Sequence, residues 1–228
     1  MEIRDKAEHD PVTDIYNTDA YMRWALMAAE EVIGEKGLAV VLRDAGLERF
    51  IDNYPPEEVE KPSGNITFGD YAALNASLLN FFGRAAKSML LRTGRLSALH
   101  AVEKQGKAFG IAVLVASKVL PIPTQLKVGM EKMQEGFRKQ SQAVGQDQRM
   151  RVEDRGDKLA YITEDCAMCA GKQADGPMCW LFTGSLQESI RWLTGREFDI
   201  VEVECRAAGA PACVWEIPKT PKPTQEEA

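Results

Sequence analysis

Apolar residues recur at helical spacing over most of the first 145 positions. Met22, Ala25, Leu26, Ala29, Val32 and Ile33 fall three and four apart, the stripe of an amphipathic helix. Thr18 stands where a cap is expected, and Gly34 and Gly37 where the helix should end. Leu38, Val41 and Leu42 predict a second, shorter helix that stops at Gly46, with a helical turn over 47–51. The run from Tyr54-Pro-Pro to Asn65 predicts a loop, because paired prolines preclude a helix interior. Thr67, with Asp70 in the first turn, starts a helix marked by Phe68, Tyr71, Leu74, Leu78, Phe81, Phe82, Met89 and Leu90. Gly83 is placed to bend it and Gly94 to close it. A further helix is predicted over 96–119, nearly apolar from 108 onward. Pro121 and Pro123 break the pattern, and Thr124 is positioned to cap a last long helix carrying Leu126, Met130, Met133 and Phe137.

After Gly145 the period changes. Positions 149–154 and 159–163 flank Arg155-Gly156-Asp157, which predicts a hairpin. A helix follows over about 178–193, stopped by Gly195, then strands over 198–205 and 212–217. Helices followed by ββαββ predict an α+β fold, with a helical N-terminal half packed on a four-stranded antiparallel sheet. Residues 1–16 read as a flexible arm and 17–145 as the helical half. Residues 146–217 read as a second half forming one compact domain with it, and the proline-rich 218–228 as a disordered tail.

Charge and composition narrow the function. The net charge of −6 disfavours a nucleic-acid partner. Basic residues nevertheless outnumber acidic ones, 11 to 3, over 84–139, against 7 to 16 over 1–83. That centre can face an acidic partner or ligand, or pair with the acidic N-terminal part. The longest apolar stretch, Gly110 to Ala116, is too short to span a bilayer. The charged opening Met1-Glu-Ile-Arg-Asp-Lys6 lacks the apolar core of a signal peptide, so a cytoplasmic location is expected.

All five cysteines fall within 48 consecutive positions: Cys166, Cys169, Cys179, Cys205 and Cys213. In a reducing compartment such a cluster reads as a metal or redox site, and an odd count argues against a complete disulfide set. Glu202 lies three residues before Cys205. Zinc accepts thiolates and carboxylates in tetrahedral sites, so some subset of these residues can hold a metal. The plain alternative is a group of small buried thiols with Glu202 on a solvated strand face. On a regular strand Glu202 and Cys205 face opposite sides, so a shared site requires the strand to kink or end there. Iron–sulfur ligation competes, since four of the five thiolates would suffice. Nucleotide-binding glycine motifs and a serine nucleophile elbow are absent from the sequence. The two histidines, His9 and His100, do not form an evident catalytic set.

Cys179, a short helix, Glu202-x-x-Cys205, an Ala-x-Gly turn and Cys213-x-Trp215-x-Ile217 together resemble the 4-vinyl-reductase-like domain, also called hydrocarbon-binding. That domain occurs in proteins of bacteriochlorophyll synthesis, in archaeal stand-alone proteins and in aromatic-sensing regulators. Sensor members hold a zinc through one Cys, then Glu and Cys three apart, then a Cys eight further on. The resemblance thus implies Cys179, Glu202, Cys205 and Cys213 as ligands; a four-thiolate site using Cys166 and Cys169 is the rival. It also implies a fold like that of vesicle-tethering (TRAPP) subunits, with an apolar pocket between the layers and a homodimer. Phe81, Phe82, Phe109, Tyr161, Trp180 and Phe182 are the candidate pocket residues. Two functions follow. One is a non-enzymatic module binding a small hydrophobic or aromatic molecule, a tetrapyrrole or lipid included, around a structural zinc. The other is a 4-vinyl reductase of bacteriochlorophyll type, or its carrier, with an iron–sulfur cluster supplying electrons.

Overall fold

Helix α1 (Asp19–Asp44) opens the helical half of the computed structural model, which describes residues 1–105 and 119–223. Met22, Ala25, Leu26 and Ala29 are fully buried, as their spacing requires. Gly34 leaves helical backbone (φ 72°, ψ 163°), so the two helices expected here form one kinked element. Thr18 occupies the cap position without a side-chain hydrogen bond. Helix α2 (Phe68–Phe82) starts on a reciprocal cap. The Thr67 N–H donates to Asp70 Oδ2 at 2.9 Å and the Asp70 N–H to Thr67 Oγ1 at 3.3 Å.

Gly83 (φ 53°) breaks the chain, and α3 (Ala86–Gln105) begins. It runs through Gly94, where the sequence led us to expect an end. The reason is packing. A Cβ on Gly94 would lie 1.9 Å from the carbonyl oxygen of Leu181, and one on Gly184 would lie 2.1 Å from that of Leu91. The two glycines let α3 and α5 (Trp180–Thr194) touch backbone to backbone. Arg95 fastens the same crossing, donating to both carboxylate oxygens of Glu197 at 2.9 and 2.8 Å. The later part of the helix predicted over 96–119, Phe109 included, lies outside the described residues. Helix α4 (Ile122–Gln142) starts before Thr124 and has Pro121 at its cap position. Pro123 is tolerated in the first turn, where its missing N–H has no helical partner.

Strands β2 (Met150–Asp154), β3 (Lys158–Thr163), β5 (Val201–Glu204) and β6 (Cys213–Pro218) form one antiparallel sheet in the order β2-β3-β6-β5. Helix α5 lies between its second and third strands in the chain. Period-two alternation turns Leu159 and Tyr161 of β3, with Trp215 and Ile217 of β6, into the main core. Ala160, Ile162 and Val214 face the other way.

The first sixteen residues carry defined structure, contrary to the flexible arm expected. Strand β1 (Ile3–Asp5) pairs with β4 (Lys172–Ala174) in a second, two-stranded sheet. Val12 packs against Phe68, Ala72 and Ala170. Asp10 is buried and accepts from Lys6 (2.7 Å), from the backbone N–H of Val12 (3.2 Å) and Gly171 (3.2 Å), and from Arg206 (3.1 Å). No local apolar pattern announces this segment; what holds it is a carboxylate meeting partners far along the chain. Burial alone would raise the Asp10 carboxyl, but these donors hold it well below the usual range. A depressed carboxyl stabilises the fold above its unfolded value, near pH 4, and loses that contribution as pH falls toward the folded value. We therefore expect D10N to flatten the acid limb of a plot of thermal midpoint against pH, with the remaining titration unchanged. An unaltered acid limb would show that this carboxylate is not linked to folding.

Candidate functional site

Five thiols and one carboxylate converge beneath the sheet. The loop after β3 brings Cys166 and Cys169, the residue preceding α5 is Cys179, β5 brings Glu202 and its end Cys205, and β6 begins at Cys213. All six are buried. The register of β5 against β6 slips between Glu202 and Glu204, leaving Val203 as an extra residue. The bulge reverses the alternation, and the strand ends at Glu204, so Glu202 and Cys205 reach the same side. That is the irregularity which a shared site demands.

The Sγ···Sγ separations are 3.7 Å for Cys166–Cys179, 3.5 Å for Cys169–Cys213 and 3.8 Å for Cys179–Cys205. A disulfide needs about 2.05 Å, and all five cysteines are free. A tetrahedral site with metal–sulfur bonds of about 2.3 Å has edges of about 3.8 Å. The sulfurs therefore sit at the spacing of thiolates around one cation. Cys179, Glu202, Cys205 and Cys213 present ligand atoms within 4.8 Å of one another, and so do Cys166, Cys169, Cys179 and Cys213. Glu202 Oε2 accepts from the Cys179 N–H at 2.9 Å, while Oε1 is buried with no hydrogen-bond partner. An orphaned carboxylate oxygen beside sulfurs is costly unless a cation or proton meets it. The donor set thus fits a metal ion.

Electrostatics agree. Hydrogen bonds from Cys166 and the other thiols hold Cys169 well below the ordinary thiol range. Donating to Cys169 pushes Cys166 up to about 11, burial pushes Cys179 well up, and hydrogen bonds to Cys166 and Cys169 raise Cys213. Burial raises Glu202 as well. Burial and the crowding of acidic groups oppose ionisation of the cluster, and a cation would compensate it.

Asn75 ties the cluster to α2. Its Nδ2 donates to the carbonyl oxygens of Met168 (3.0 Å) and Met178 (3.1 Å), the residues before Cys169 and Cys179. Sequence reasoning missed Asn75. Its signal was an amide on the apolar stripe of a helix.

A cavity of about 250 Å³ lies between the helices and the sheet. Tyr161, Phe182 and Trp215 make one wall and pack on each other in tilted and edge-on arrangements, with ring centroids 4.9 to 5.9 Å apart. Tyr21 and Trp24 of α1, Tyr71 of α2, Ala98 of α3 and Met130, Met133 and Phe137 of α4 add to its apolar lining. Cys166, Ala167 and Met168 also line it. Of the six residues named from sequence, Tyr161 and Phe182 line this space. Phe81 is 45% exposed, Phe82 and Trp180 pack on the core outside the lining, and Phe109 lies outside the described residues. The α1 and α4 residues were readable as helix stripes, but periodicity does not say which stripes converge. His100 is bound by Glu31 at 2.6 Å.

Residues 159–219 match the V4R domain family. The matched segment contains the six clustered residues. No curated protein sequence matches the chain. Among solved structures, the Fe(II) unliganded H-NOX protein from K. algicida is similar, with 12% identity and a TM-score of 0.59 over 90% of this chain and 98% of that one. A structure described as probing heme distortion in the H-NOX family shares 14% identity, with a TM-score of 0.51 over 91% and 98%. At such identity the likeness concerns fold alone. The architecture is an α+β fold similar to that of H-NOX proteins. The segment that matches the V4R domain, residues 159–219, carries the β3–β6 part of this fold.

Proposed function

We propose that this protein is a binding module for a small hydrophobic or aromatic molecule, a tetrapyrrole or lipid included, with a structural zinc held by Cys179, Glu202, Cys205 and Cys213. The observation that carries the reading is one shared loop. Cys166 sets its sulfur against Cys179, and the same residue with Ala167 and Met168 walls the cavity. A metal that fixes the sulfur cluster therefore fixes one side of the ligand space. The lining is mainly aromatic, thioether and aliphatic, which suits an apolar ligand. Its carboxylate, Asp165, is engaged by Arg149 at 2.6 Å. No histidine lines the cavity among the described residues. A homodimer belongs to the same reading, and Val201 and Val203, exposed on edge strand β5, offer a second copy an apolar surface. No described helix is long and apolar enough to cross a membrane.

A second reading has an observation of its own. Cys166, Cys169, Cys179 and Cys213 form a quartet of thiols, the usual donor set of an iron–sulfur cluster, which a 4-vinyl reductase or its accessory would need for electrons. Iron and acid-labile sulfide in brown protein would favour it over zinc in colourless protein.

Ala98, almost fully buried in the cavity wall, gives the binding test. The A98F variant should fill the space. We expect affinity for an apolar, environment-sensitive fluorophore to fall at least about tenfold, or about 1.4 kcal/mol, with the circular dichroism spectrum unchanged. Equal binding by a folded A98F variant would place the ligand elsewhere.

A further inference from the structure

A single zinc at Cys179, Glu202, Cys205 and Cys213 leaves Cys166 and Cys169 without a task. As small apolar fillers they should rest against carbon. Instead their sulfurs lie 3.7 Å from Cys179 and 3.5 Å from Cys213, two sulfurs of that site. The two quartets of ligand atoms share two members, Cys179 and Cys213. Two tetrahedra sharing an edge need six ligands, of which two bridge. The six buried candidates supply that number, with thiols at both shared corners. Thiolate sulfur has lone pairs enough to bridge two cations, and a carboxylate at the outer corner completes the second tetrahedron.

We propose that the cluster holds two divalent metal ions as a thiolate-bridged pair. One ion is bound by Cys166, Cys169, Cys179 and Cys213, the other by Cys179, Glu202, Cys205 and Cys213. The inference rests on the metal-site reading above and extends it. The Arg206 N–H, donating to Cys213 Sγ at 3.3 Å, serves the shared corner. The second ion also explains why the loop carrying Cys166 and Cys169 is drawn against the strands that carry the other ligands.

Cobalt(II) is the probe. Full-length protein, reduced and freed of metal, is titrated with cobalt(II) alone. Binding is followed by sulfur-to-cobalt charge-transfer absorption, and stoichiometry by elemental analysis after gel filtration. Two ions per chain are expected. The electron paramagnetic resonance signal should grow with the first ion and decline with the second, because a bridging thiolate couples the two spins. C166S and C169S should each hold one ion and keep the uncoupled signal. One ion per chain in the unaltered protein would overturn the proposal while leaving the single-zinc reading intact. Two ions with additive, uncoupled signals would overturn the bridge. No bound ion would overturn both readings. The unaltered protein decides these outcomes even where a variant fails to fold.

Discussion

Replacing Gly94 by alanine is expected to destabilise the protein by about 3 kcal/mol or more, the upper range for inserting a methyl into a filled space. The methyl would meet the Leu181 carbonyl at 1.9 Å. That neighbour is helix backbone, which cannot rotate aside as a side chain would. Helices α3 and α5 must separate, taking with them the Arg95–Glu197 pair and the Phe182 wall of the cavity. Gly184 meets Leu91 in the same way from the other helix, so G184A should cost a similar amount. One separation of the helices relieves both clashes. The double variant should therefore fall well short of additivity. Urea unfolding of the two single variants and the double gives the answer. A loss under about 1 kcal/mol for G94A would show that the crossing is looser than its backbone contacts imply, and full additivity would show that the two contacts are independent.

The Gly94 contact also shows where sequence reading stops. A glycine at the end of an apolar run signals a helix terminus and, equally, a helix crossing, and the choice depends on a partner helix about ninety residues away. Gly34 and Gly83 do interrupt the helices, because their backbone takes positive φ. The stripes of α1, α2 and α4 were legible since burial of one face sets their period. The strands were legible from alternation and from the Gly156 turn, though several of their ends moved, by up to three residues. For β5 the move has a cause, the bulge at Val203 that Glu202 and Cys205 require. The cysteine group was legible because thiols are rare and their clustering is informative. Its doubling was not, since spacing alone does not reveal that Cys179 and Cys213 stand in both quartets. The N-terminal segment escaped for a different reason. Its anchors, Asp10 on Gly171 and Arg206 and the pairing of β1 with β4, are long-range contacts with no periodic trace, and a polar stretch held so reads like an unstructured one.

Metal removal should produce the other large effect. Stripping the ion with a strong chelator at neutral pH is expected to cost on the order of 5 kcal/mol. That is less than the ~10–16 kcal/mol which structural zinc supplies to peptides lacking another core, because Trp24, Leu26, Leu74 and Leu78 keep the helical half packed without it. For a chain of this size such a loss lowers the thermal midpoint by about 10–20 °C. The cost arises at the cluster itself. Without a cation, burial pushes the Cys179 thiol well up, and Glu202 Oε1 stays buried without a partner. The loop of Cys166 and Cys169 then loses its tie to Cys179 and Cys213, and the wall formed by Ala167 and Met168 loosens with it. The destabilisation should therefore be accompanied by weaker binding of the apolar fluorophore, with hydrogen exchange quickened first over 164–171. C179S removes a ligand common to both quartets and should reproduce the chelated state in the absence of chelator. A protein whose midpoint and exchange pattern ignore both treatments would carry buried thiols as ordinary core. The cavity would then owe its shape to helix packing alone.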